Sequence, residues 1–151
     1  MTETVRWLSD LGMDDVGIVG GKNASLGEMI QHLTAVGVRV PGGFATTAAA
    51  YREFLSASGL AERIAAELDK LDVDDIAALS EAGPKIRGWI IEQPLPPQPN
   101  ADIEAAYHEL VGQDGNDTAS WAIRSSATAE DLPDASFAGQ QEIFLNVQGL
   151  A

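Results

Sequence analysis

The chain has 151 residues, 45% of them hydrophobic and 21% charged: enough apolar material for a packed core, and too little charge for a disordered acidic tail. A net charge of −14 opposes non-specific binding to nucleic acid or to an anionic membrane, because either needs a basic footprint. With no cysteine there is no disulfide, thiolate metal site or cysteine nucleophile, and the two histidines, His32 and His108, do not make a zinc site alone.

In chain order, "VRWL" at 5–8 predicts a short strand. "GIVGGKNASLGEM" at 17–29 then puts a lysine behind a glycine pair and leads into a helix with Leu26, Met29, Ile30, Leu33 and Val36 on one face. Ser25 and Glu28 have capping-box spacing, which puts a start near Ser25; a start nearer Lys22 fits as well, and Gly37 ends the helix. "PGGFATT" predicts a turn, an extended Phe44–Thr46 and a cap at Thr47 for a second helix through Tyr51, Phe54 and Leu55, stopping at Gly59. A third helix carries Leu60, Ile64, Leu68 and Leu71 as a core stripe. A fourth carries Ile76, Leu79, Ile86, Trp89 and Ile90, with a kink or break expected at Pro84. "PLPPQP" at 94–99 reads as a stiff extended connector, and Asn100 as the cap of a fifth helix through Ile103, Tyr107 and Leu110.

After the turn cluster "GQDGND" the character changes. "ASWAIRSS" and "QEIFLNV" alternate as strands, with Trp121 and Ile123 on one face of the first. Between them lies a long connector of small, hydroxyl and acidic residues, 127–139, of the kind that is functional or mobile in a compact domain. The fold class is therefore α+β, helices followed by antiparallel strands. No basic leader runs into an apolar stretch and no segment approaches a membrane span, so the expectation is a soluble, cytoplasmic protein without a membrane or nucleic-acid partner.

Three places can carry chemistry. Glycines let backbone approach a ligand, a helix start offers N–H groups to an anion, and Lys22 adds a full charge there. It is not a Walker A loop, since Val16 stands where the first glycine belongs and Asn23 follows the lysine; spacing alone favours a solvated lysine on a glycine turn. Arg124, in a strand among small residues, needs a carboxylate, a phosphate or water; a structural ion pair with Glu130, Asp131, Asp134 or Glu142 is the simpler reading. "FAGQ" in the connector brings backbone near a ligand through Gly139, or belongs to a hydrophilic loop. His32 and His108 read as helix-surface residues, and "DKLDVDD" at 69–75 as a solvated turn without the EF-hand pattern.

Three blocks go further: "LGMDDVGIVGGKNASLGEMI", "GVRVPGGFATTAAAYREFL" and "AIRSSATAEDLPDASFAGQQEIFLNVQG". In this order they resemble the N-terminal region of the phosphoenolpyruvate synthase (pyruvate, water dikinase) family, within a wider group that includes pyruvate phosphate dikinase and rifampicin phosphotransferase. The resemblance implies a partial ATP-grasp-like domain that binds ATP and Mg²⁺. In that family the phosphoryl group passes to a histidine on a swivelling domain and then to pyruvate, giving AMP, phosphoenolpyruvate and phosphate. By the same resemblance Lys22 and Arg124 are cationic contacts to the ATP phosphates, Gly139 lies against the nucleotide, and neither histidine is the phosphorylated one.

Two departures stand out. The family usually reads "QQETFLNV"; here Ile143 replaces the threonine, losing a hydroxyl able to bond a phosphate or a metal-bound water. The later half of the nucleotide domain, the phosphohistidine domain and the pyruvate barrel have no counterpart in 151 residues. The expectation is the first half of a nucleotide-binding domain, catalytically incomplete by itself, with pyruvate binding only where the remaining domains are present. A cut sheet would expose an edge, favouring docking onto the rest of the synthase or self-association. A non-catalytic binding module and a rifampicin phosphotransferase-like fragment are the alternatives.

Overall fold

The computed structural model of the chain describes residues 3–72, 74–115, 119–129 and 142–150. Strand β1 (Val5–Trp7) pairs antiparallel with β2 (Phe44–Thr46), Val5 opposite Thr46 and Trp7 opposite Phe44, whose rings meet edge-on at 5.9 Å. The strand ends one residue before the expected Leu8, which opens a 3₁₀ turn (Leu8–Asp10) and turns its side chain into the core. A single-turn helix α1 (Val16–Val19) leads through Gly20 into α2 (Gly21–Leu33), and a 3₁₀ turn continues α2 to Gly37, left-handed at φ 87°.

Helix α2 thus starts at the earlier of its two expected places. The Ser25–Glu28 capping box is not made: Ser25 lies inside the helix, and the Glu28 carboxylate accepts the Met13 N–H at 3.1 Å and pairs with His32 at 3.1 Å. The buried face also differs from the expected one. Gly21, Ala24 and Gly27 face inward, Leu26 and Ile30 are half-buried, and Met29 and Val36 are exposed. The cause is close approach. Leu11 is fully buried against α2, and a Cβ added to Gly27 would lie 2.3 Å from its carbonyl oxygen and 2.6 Å from its Cβ. Gln31 Nε2 ties the same segment down, donating to Leu11 O at 2.8 Å and Ser9 O at 3.3 Å. Leu8, Leu11, Val19, Ala24 and Ala45 form the core this packing creates.

Helix α3 (Ala48–Ser56) starts where expected, with Thr47 Oγ1 accepting the Ala50 N–H at 3.1 Å, and Phe54 is buried. Helix α4 (Leu60–Leu68) buries Leu60 but leaves Leu68 half-exposed, so the expected core stripe is only partly internal. Helix α5 (Ile76–Glu92) runs on through Pro84. Both Pro84 and Ser80, the residue whose carbonyl loses its donor, are exposed, so water can satisfy that oxygen. Ile76 and Leu79, expected inside, face outward, and Ala82 is the buried residue of α5.

The proline connector is shorter than expected. Helix α6 (Pro97–Asp114) starts within it, because proline at the first helical position gives up an N–H that has no partner there anyway. Asn100 is accordingly no cap: its N–H donates to Pro96 O at 3.0 Å, and its side chain donates to Glu104 at 2.7 Å. Left-handed Gly115 ends α6. Strands β3 (Trp121–Arg124) and β4 (Ile143–Val147) form the expected antiparallel pair. Trp121 lies opposite Val147 and Ile123 opposite Phe144, so β4 carries an extra residue, and Asn146 takes a left-handed φ of 57°. The Gly149 N–H donates to Tyr107 Oη at 3.1 Å, which fastens the end of this pair to α6. The architecture is α+β: six helices and two separate two-stranded antiparallel sheets among the described residues. None of the described helices is long and apolar enough to cross a membrane.

Helices α4 and α5 are joined at the surface by charge. Arg63 lies over the Trp89 ring at 3.8 Å, and Glu67 accepts from Lys85 at 2.5 Å with Lys70 at 3.9 Å. The Lys85 hydrogen bond holds the Glu67 carboxyl below its ordinary value of 4.5. A lowered carboxyl pKa stabilises the fold above the unfolded value and loses that contribution as the pH falls through the folded one. Thermal melts should therefore show Lys85→Met less stable than the parent at neutral pH, with the gap closing well below pH 4.5. Gly27→Ala forces a methyl into the Leu11 backbone and should destabilise by about 1–3 kcal/mol, the usual range for overpacking, read by denaturant titration.

Candidate functional site

The site is built where the start of α2 meets the loop leaving β3. Gly20 is the residue before α2 and has no side chain with which to cap it. The cap comes from more than a hundred positions along the chain: the Asn23 N–H donates to Ser126 Oγ at 3.4 Å, and the Gly21 N–H donates to the Ala127 carbonyl at 3.1 Å. Asn23 Nδ2 in turn donates to Val19 O at 2.8 Å, binding the end of α1 into the same junction. Gly20 makes the approach possible. Its φ is 83°, and a Cβ there would lie 2.3 Å from Ser126 Oγ and 2.8 Å from the Ser126 carbonyl carbon.

This seam brings Lys22 to the segment that carries Arg124. Lys22 Nζ donates to the carbonyl of Ser125, the residue next to Arg124, at 3.4 Å. Ser125 is held from the other side, its N–H and its hydroxyl both donating to Glu142 O, at 3.3 and 3.2 Å. Arg124 is exposed at the end of β3, in register with Ile143 of β4. Of the carboxylates expected as its ion-pair partners, Glu142 is described and makes no ion pair with it; Glu130, Asp131 and Asp134 lie outside the described residues. Gly139 also lies outside them.

One expectation changes. The first turn of α2 offers fewer amides to an anion than a bare helix terminus would, because Gly21 and Asn23 spend theirs on the β3 loop. The junction carries a flexible ammonium and, on the adjoining segment, a planar guanidinium, groups of the kind that bond phosphate oxygens. Among the described residues there is no group of three or more His, Cys, Asp or Glu able to hold a metal ion, so no metal ligand is assigned. The sequence reading missed Asn23 and Ser126. Their signal was a helix start lacking its own Ser, Thr, Asp or Asn cap, together with a pair of serines just after a strand.

The α+β architecture is consistent with a nucleotide-binding domain. Residues 16–151 match the family described as pyruvate phosphate dikinase, AMP/ATP-binding domain, and the chain belongs to that family. It is 63% identical over 146 residues to a phosphoenolpyruvate synthase of Neisseria meningitidis, covering 97% of this chain and 18% of that protein. It is 59% identical over 145 residues to the phosphoenolpyruvate synthase of Escherichia coli K12, covering 96% and 18%. A probable phosphoenolpyruvate synthase of Staphylothermus marinus is 48% identical over 147 residues, covering 96% and 17%. The chain thus spans less than a fifth of the length of these relatives.

Proposed function

We propose that the chain forms the N-terminal part of the ATP-grasp-like nucleotide-binding domain of a phosphoenolpyruvate synthase, and that Lys22, Arg124 and Gly139 contact the bound ATP. With the rest of such an enzyme the reaction converts ATP, pyruvate and water to AMP, phosphoenolpyruvate and phosphate through a phosphohistidine. The observation that carries this reading is the seam itself, which brings Lys22 to the residue beside Arg124 at 3.4 Å. The relatives' names favour a synthase over the rifampicin phosphotransferase alternative.

The chemistry follows from the charges. Phosphoryl transfer consists largely of positioning and stabilising negative charge. Lys22 supplies a point charge that follows a moving phosphate, and Arg124 a rigid fork that fixes two oxygens. Mg²⁺ would arrive with the nucleotide and neutralise part of the triphosphate, its protein ligands belonging to the longer polypeptide. Pyruvate and the phosphorylated histidine belong there too. The setting proposed is the cytoplasm.

Calorimetric titration with Mg²⁺–ATP tests the reading. Lys22→Ala and Arg124→Ala should each weaken binding about tenfold or more, since each removes a charge-assisted hydrogen bond. Nucleotide affinity equal to the parent in both variants would remove the basis for the reading. Ile143 stands opposite Arg124, so a hydroxyl there would face the same phosphates. In a longer polypeptide carrying the whole domain, Ile143→Thr should bind nucleotide more tightly than the parent, and equal affinity would show that the lost hydroxyl is irrelevant.

A further inference from the structure

We propose that Met13 is a site of reversible oxidation by hydroperoxides, and that the Ser25 hydroxyl receives the oxygen added to its sulfur. Met13 opens a 3₁₀ turn (Met13–Asp15) ahead of α1, and Ser25 lies in α2, the helix that also carries Lys22, so the modified pair joins those two elements. Nothing in this depends on how Lys22 or Arg124 meets a nucleotide.

The sulfur is accessible and already has a donor. Met13 is 51% exposed, against 39% for Met29, so an oxidant in water reaches it directly. Ser25 Oγ donates to Met13 Sδ at 3.7 Å. A hydroxyl inside a helix can instead bond back to a carbonyl of its own helix; this one spends its single proton on the neighbouring turn. The main chain of Met13 is held from the same helix, its N–H donating to the Glu28 carboxylate at 3.1 Å. The fit beside it is close, since a Cβ added to Gly12 would lie 3.1 Å from that carboxylate oxygen. In the oxidation the sulfur lone pair attacks one oxygen of hydrogen peroxide. The S–O bond forms as the O–O bond breaks, the sulfur gives up two electrons to the peroxide, and the departing hydroxide takes the proton of the transferred oxygen and leaves as water. Hydrogen peroxide is uncharged, so the chain's net charge of −14 does not repel it. A thioether is a weak acceptor, whereas a sulfoxide is polar. The new oxygen, bonded to an atom 3.7 Å from Ser25 Oγ, comes within hydrogen-bond reach of that hydroxyl. Oxidation of a methionine ordinarily puts a polar atom where an apolar contact was; here the donor for that atom is in place beforehand.

Limited treatment of the 151-residue chain with hydrogen peroxide, followed by tryptic digestion and mass spectrometry, reads the two sulfurs separately. Cleavage after Arg6, Lys22 and Arg39 puts Met13 in the peptide 7–22 and Met29 in the peptide 23–39. Met13 should gain its oxygen first, and a methionine sulfoxide reductase should remove it. The role of Ser25 is read by thermal melts in a Met29→Leu background, a swap that conserves volume. There, oxidation should lower the melting temperature about 2–4 °C further in Ser25→Ala than with Ser25 in place, the shift that one hydrogen bond produces in a domain of this size. Ser25→Thr keeps the hydroxyl and should behave as Ser25 does. Melts of the unoxidised proteins alongside remove any effect of the substitutions on the fold itself. Oxidation of Met29 ahead of Met13 would overturn the proposal. So would equal losses on oxidation with and without the hydroxyl, which would show that Ser25 does not hold the new oxygen.

Discussion

The proposed site depends on one contact, the seam between the first turn of α2 and the loop after β3. It joins residues about a hundred positions apart through hydrogen bonds of 3.1–3.4 Å. Closing a flexible loop of that length costs about 4 kcal/mol beyond a constant, while three such bonds contribute roughly 0.5–1.5 kcal/mol each. The bonds alone would leave no margin. The seam holds because the intervening chain is already folded and because Gly20 removes every obstacle to contact. A side chain at 20 would separate the two halves of the site before any charge was altered.

The same logic of small residues governs the core. Gly27 lets Leu11 lie against α2, and Gly21 and Ala24 keep that helix close to its neighbours. Large apolar residues that periodicity assigns to the interior, Met29 and Val36 among them, are displaced outward because the inner face has no room for them. A hydrophobicity pattern reports which residues avoid water; it does not report which face another backbone approaches most closely. Glycine and alanine on a helix are weak signals for burial, yet here they mark the packed face.

This separates what was legible from what was not. Strands β1 to β4, the Thr47 cap and the stop at Gly37 followed from local chemistry and were readable. The start of α2 was ambiguous because its cap is not local: Ser25 and Glu28 fit a capping box by spacing, but Glu28 is drawn instead to Met13. The helix start at Pro97 was hidden by a run of prolines that reads as extended until one of them falls at the first helical position. Lys22 and Arg124 were found through motif resemblance, since spacing alone favoured solvent or ion-pair roles for both. The contact of Lys22 with Ser125, beside Arg124, is a tertiary fact that no window of sequence contains.

A chain with a net charge of −14 is a poor general host for a triphosphate, and the seam bears on that difficulty. Screening at physiological ionic strength confines exposed charges to a reach of about 8 Å, so what a phosphate meets is the local arrangement and not the total. Four of the chain's nine cations are engaged elsewhere: Arg6 with Glu3, Lys70 and Lys85 with Glu67, and Arg63 over Trp89. Lys22 Nζ donates to a carbonyl, the Ser125 oxygen, at 3.4 Å, and that contact carries no opposite charge. A bond to a backbone oxygen holds an ammonium in place without itself neutralising it.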